Sequence, residues 1–179
     1  MKRLLSSGLL LGGLAVLQSA ILIRREVETV PPDPPAELAV GDPVAGIDGL
    51  WADSGEQGVT LVRDDGQWTV VLAFHSQCVW CDRAAPMWAE WLSQPRDARV
   101  LAVTRDNPRS AVEYANRHGW AIDVLIVPQT RGTIEHRLIS RTPWVYVFDD
   151  GGVLHYEGNG ALLDTVEAVL DESRSEPAP

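Results

Sequence analysis

A chain of 179 residues with 45% hydrophobic and 22% charged side chains can bury one sizeable core and is too apolar to stay unfolded. Its 25 acidic against 15 basic residues, a formal charge of −10, repel phosphate backbones and argue against a nucleic-acid partner. The two cysteines are too few for a disulfide-stapled mini-protein, and both sit in one short motif, which points to chemistry and not scaffolding.

Leu4 to Ile23 carries no formal charge and is bracketed by Lys2-Arg3 and Arg24-Arg25. A helix of that length spans roughly 30 Å, the hydrocarbon thickness of a bilayer. A cleaved signal is the competing reading, but Ala20 at the cleavage site would put the large Gln18 at the −3 position. The expectation is therefore an uncleaved signal anchor over residues 1–29, with the domain behind it exported to the periplasmic side of the inner membrane. The basic pairs tie in number, so they do not set the orientation. Val30-Pro-Pro-Asp-Pro-Pro35 makes residues 30–38 a stiff extended linker, a folded domain is expected over 39–173, and 174–179 reads as a frayed tail.

Gly41-Asp42-Pro43 opens the domain. Val59–Arg63 and Trp68–Phe74 read as strands around the turn Asp64-Asp65-Gly66. The second is apolar on both faces, as a central strand covered on both sides must be. A helix follows Cys78, with Met87, Trp88, Trp91 and Leu92 on its apolar side and a kink expected at Pro86. Arg99–Val103 is a strand. Asn107-Pro108 starts a helix that Gly119 stops. Val124–Val127 is a short strand and Gly132–Leu138 a short helix. Trp144–Phe148 and Val153–Gly158 form a hairpin about Asp149-Asp-Gly-Gly152, and Ala161–Ser173 is the closing helix. This order gives an α/β fold with a central mixed sheet flanked by helices.

The chemistry gathers in Phe74-His75-Ser76-Gln77-Cys78-Val79-Trp80-Cys81, where a strand meets a helix. Two residues between cysteines on the first turn bring the sulfurs within disulfide distance. The unpaired N–H groups and positive dipole of the helix start favour the thiolate of the first. Cys78 is then the nucleophile and Cys81 the resolving thiol of a dithiol–disulfide pair. Zinc needs more ligands than one cysteine pair supplies, and Asp82 stands where a haem attachment motif needs histidine. A copper metallochaperone using Cys78, Cys81 and His75 or His136 stays open as the alternative.

These residues resemble the TlpA/ResA/CcmG branch of thioredoxin-like proteins, which are membrane-tethered, extracytoplasmic thiol–disulfide oxidoreductases. The resemblance covers roughly residues 39–170. It rests on Gly41-Asp42-Pro43, the strand ending at Phe74, Cys78-Val-Trp-Cys81, Pro86, Thr142-Pro143, Asp149-Asp-Gly-Gly152 and Gly158, and on the strand–helix block between Arg99 and His118. It implies a thioredoxin-like fold, a cis Thr142-Pro143 bond facing the disulfide, and no cofactor or bound metal. Pro143 would shape the site, while Thr142, Val79 and Trp80 would contact substrate. It also implies a reductant fed by a membrane electron donor of the DsbD/CcdA type, with exported thiol proteins, apocytochrome c among them, as partners. Several positions depart from the pattern. Gln77 replaces an aromatic residue, the central dipeptide is Val79-Trp80, and the family's proton-handling acids would fall at Leu72 and Ala84. Asp82 and Glu90 are the nearest acidic substitutes in sequence.

Overall fold

The structure is a computed structural model that describes residues 38–175. The anchor expected over 1–29, nearly all of the linker and the last four residues lie outside the described residues. Among the described residues no helix is long and apolar enough to cross a membrane.

The elements run β1 (Gly46–Trp51), β2 (Gln57–Thr60), β3 (Trp68–Ala73), α1 (Val79–Leu92), β4 (Ala98–Thr104), α2 (Pro108–Arg117), β5 (Asp123–Ile126), α3 (Ile134–Leu138), β6 (Trp144–Phe148), β7 (Leu154–Asn159) and α4 (Leu163–Ser175). They build one seven-stranded sheet in the order β2-β1-β5-β4-β3-β6-β7. Strand β3 is central, parallel to β4 and antiparallel to β6. The period-two alternation of β3 divides the core. Val70 and Leu72, with Phe74 just beyond the strand, pack beneath Trp88 of α1, Tyr114 of α2 and Val166 of α4. Val71 and Ala73 face the other layer, with Ile47, Leu101, Leu125, Leu138 and Phe148. Both faces of β3 are fully buried, which is why it reads as a continuous apolar run.

The helix signals act as local chemistry requires. Asn107 caps α2 by accepting from Ser110 N, Pro108 occupies the first turn, and Gly119 follows the helix at φ +70°. Thr133 caps α3 by accepting from His136 N.

Three expectations need correction. Strand β1 was not read from sequence, because Gly46 and Gly49 dilute its apolar pattern. The structure needs them small: a Cβ on Gly49 would stand 2.6 Å from the Ile126 carbonyl oxygen of β5. The strand expected at Val59–Arg63 ends at Thr60. Leu61 drops into the core, and β2 pairs with β1 at the far edge instead of meeting β3 across the Asp64-Asp65-Gly66 turn. Met87, expected on the apolar side of α1, is 37% exposed, whereas Trp88 and Trp91 are buried. Helix α1 is one continuous element across Pro86.

Candidate active site

Cys78 is the N-cap of α1, with extended backbone at φ −94° and ψ 112°. Its sulfur accepts from Cys81 N at 3.3 Å, taking the role that a serine or aspartate oxygen plays at an ordinary cap. One of the orphan donors of the helix start therefore points at the Cys78 sulfur. The neighbouring Val79 and Trp80 project outward, 57% and 61% exposed, while Cys81 is 1% exposed. Both thiols are unbonded, the dithiol half of the couple expected from sequence.

The two sulfurs are electrostatically unlike. Partial burial pushes the Cys78 thiol up. Hydrogen bonds from the Cys81 thiol and N–H, from the Thr142 side chain and from the Trp80 backbone outweigh it, and the net shift is below the ordinary 9.0. Cys81 is pushed up to about 12, first by burial and then by the Cys78 sulfur beside it. Cys78 is thus the half-buried, more readily ionised sulfur and Cys81 the shielded, protonated one.

The second wall comes from the loop before β6. The Thr142-Pro143 peptide bond is cis, and Cys78 Sγ lies 3.5 Å from the Thr142 carbonyl oxygen. Behind it, Gly160 N donates to the Pro143 carbonyl, and the Gly160 carbonyl accepts from Trp88 Nε1 at 2.6 Å. This contact ties the proline loop to α1. A Cβ on Gly160 would stand 2.4 Å from the Trp88 ring and 3.1 Å from Pro143 Cβ, so only glycine fits.

His75 is held by its neighbours. Its Nε2 lies 3.2 Å from Asp106 Oδ1, and its Nδ1 accepts from Gln77 N at 3.1 Å. Asp106 Oδ2 also accepts from Ser76 N at 2.6 Å and from the Thr104 hydroxyl at 3.1 Å. Asp106 therefore pins the turn that delivers Cys78 to its cap. Sequence reading missed this residue because it lies 28 positions from the motif, although Asp after a buried strand end is a common turn anchor.

The places of the family's acids are filled by apolar core, Leu72 at 0% and Ala84 at 4% exposure. Glu90 is exposed near the far end of α1. Asp82 lies 3.8 Å from His118 Nε2. The His118 and Tyr114 rings meet at 4.6 Å, tilted by 54°, and the buried Tyr114 hydroxyl and His118 Nε2 have no hydrogen-bond partner among the described residues. His136 lines a separate cavity of about 250 Å³ with Arg105 and Gln129. Among the described residues no three His, Cys, Asp or Glu side chains converge on a point that could hold a metal ion, and neither His75 nor His136 forms such a group with the cysteines.

A groove of about 750 Å³ runs between α1 and the proline loop. Trp80, Arg83 and Met87 line one side and Arg141, Thr142, Pro143 and Trp144 the other. Of these, Trp80, Thr142 and Pro143 were singled out from sequence. Arg83, Arg141 and Trp144 were not, since single exposed arginines carry no pattern.

No family model matches the chain, and no curated protein matches it. Solved structures do. The thioredoxin domain of a thiol–disulfide oxidoreductase from Bacteroides vulgatus is 18% identical, with 75% of this chain and 99% of that one covered at a TM-score of 0.57. A thiol:disulfide interchange protein from Bacteroides sp. is also 18% identical, with 75% and 91% covered at 0.60. A peroxiredoxin-like protein from Aquifex aeolicus is 14% identical, with 77% and 89% covered at 0.59. The sheet order, the cysteine-capped helix and these likenesses together identify residues 38–175 as a thioredoxin-like fold.

Proposed function

We propose that the chain is a thiol–disulfide oxidoreductase that works through Cys78 and Cys81. The observation that carries this reading is the asymmetry of one helix start: a half-buried sulfur on the cap, with lowered pKa, and a fully buried sulfur one turn on, with raised pKa. The Cys78 thiolate attacks one sulfur of a client disulfide, and the other client sulfur leaves as thiolate and takes a proton. Cys81 then gives up its proton and attacks Cys78 Sγ, releasing the second client thiol. The client gains two electrons and the Cys78–Cys81 pair loses two.

The direction we assign is reduction of exported thiol proteins, with the dithiol restored by a membrane electron donor. Its support is the resemblance to tethered reductases and the uncharged run from Leu4 to Ile23 between basic pairs. Apocytochrome c is among the clients that this resemblance suggests.

The test is a redox titration of the protein in glutathione buffers, followed by thiol trapping. A reversible two-electron couple near the thioredoxin value of about −270 mV supports a reductant. A value near about −120 mV would make it an oxidant, and absence of any couple would refute the reading.

A further inference from the structure

The groove beside Cys78 has a charge that the rest of the chain does not share. Acidic residues outnumber basic ones by 25 to 15 overall, yet none of the groove's lining residues is acidic and two are arginines. Each arginine lies over a tryptophan. The Arg83 guanidinium sits 4.5 Å from the Trp80 ring centre on the α1 side, and Arg141 sits 4.9 Å from that of Trp144 on the proline-loop side. Stacking on an indole holds a long side chain at the rim.

The two cations differ in freedom. Arg141 Nη1 is 4.0 Å from Glu157, whose other contact is the Trp144 indole N–H, so part of its charge is met from below. Arg83 makes no ion pair among the described residues. Trp80 at 61% and Met87 at 37% exposure leave an uncovered apolar wall next to it. About 750 Å³ is ample for a few residues of an extended segment, and the Thr142 carbonyl at 3.5 Å fixes where its sulfur must arrive.

We infer that the groove selects disulfide clients in which an acidic side chain, next to an apolar one, flanks the reacting cysteine. The inference rests on the oxidoreductase reading and deepens it. The carboxylate meets Arg83, its apolar neighbour lies on Trp80 and Met87, and the cysteine reaches Cys78 Sγ. The acidic remainder of the surface works in the opposite sense, repelling anionic segments that approach elsewhere.

The experiment uses the full chain in its dithiol form and three short peptides, each with one disulfide to mercaptoethanol and with Glu, Gln or Lys beside the cysteine. Hydroxyethyl disulfide serves as an uncharged small substrate. The expected result is stoichiometric reduction of all four, with the second-order rate constant of this single turnover falling about fivefold from Glu to Gln and again to Lys, the size of one exposed charge pair. Arg83→Glu should erase or invert the Glu-to-Lys ratio, and high salt should flatten it in the wild type. Equal rates on the three peptides, with hydroxyethyl disulfide still reduced, would overturn the charge selection and leave the oxidoreductase reading standing. No reduction of any of the four would overturn both.

Discussion

Cys78 and Thr142 are 64 residues apart in the chain, yet the sulfur of one lies 3.5 Å from the carbonyl oxygen of the other. Strand register brings them together. Ala73 at the end of β3 pairs with Trp144 at the start of β6, so the residues that follow the one and precede the other emerge side by side. A helix start then turns Cys78 toward the loop. The thiol can donate to that carbonyl, whereas the thiolate can only accept, from the Cys81 thiol and N–H, the Thr142 side chain and the Trp80 backbone.

The two thiols should therefore titrate far apart. Iodoacetamide should alkylate Cys78 with a half-maximal rate below pH 9.0, since its pKa is lowered, and spare Cys81, whose pKa is about 12. Mass spectrometry of the labelled peptide reads both. Stability carries the same signature. Between the Cys78 pKa and 9.0 the unfolded chain holds the extra proton, so this thiol makes stability rise with pH. Above 9.0 the folded Cys81 holds it, and that contribution falls. Labelling of both thiols with one pH profile would contradict the asymmetry.

Gly160→Ala should destabilise the fold by about 1–3 kcal/mol, because the new methyl overlaps the Trp88 ring and Pro143. Urea unfolding followed by tryptophan fluorescence measures it. An unchanged midpoint would mean that the proline loop yields without cost.

Asp106→Ala removes the acceptor of Ser76 N, the Thr104 hydroxyl and His75 Nε2 at a side chain only 7% exposed. The expected loss is about 1–3 kcal/mol, together with slower Cys78 alkylation as the turn before the cap loosens. Lost stability with an unaltered alkylation rate would confine Asp106 to a structural part.

The full chain should sediment with membranes, and a chain starting at residue 38 should stay soluble with the same thiol titration. Recovery of intact soluble protein lacking residues 1–20 would replace the anchor with a cleaved signal.

What could be read from sequence divides along physical lines. Signals carried by neighbouring residues were legible: the apolar run of β3, the Asn107-Pro108 start of α2, the hairpin about Asp149-Asp-Gly-Gly152, and the spacing of Cys78 and Cys81. The cis Thr142-Pro143 bond and its place beside Cys78 came through the resemblance. Features made by tertiary approach were not legible. Strand β1 depends on glycines that let backbones close in, Asp106 reaches the motif only through parallel pairing of β3 with β4, and Gly160 matters for what packs on it. Arg83 and Arg141 gain meaning only when the groove between them exists.

The most direct measurement is the capture of mixed disulfides by single-cysteine variants. Attack by Cys78 forms a covalent client complex that Cys81, at very high effective concentration, normally resolves. Cys81→Ala should therefore accumulate complexes with disulfide-bearing clients, seen as bands that collapse under reductant. Cys78→Ala should accumulate few, because Cys81 is 1% exposed and its burial, the largest cause of its raised pKa, does not depend on Cys78. Equal accumulation in both variants would contradict the account, since it would mean that either sulfur can attack.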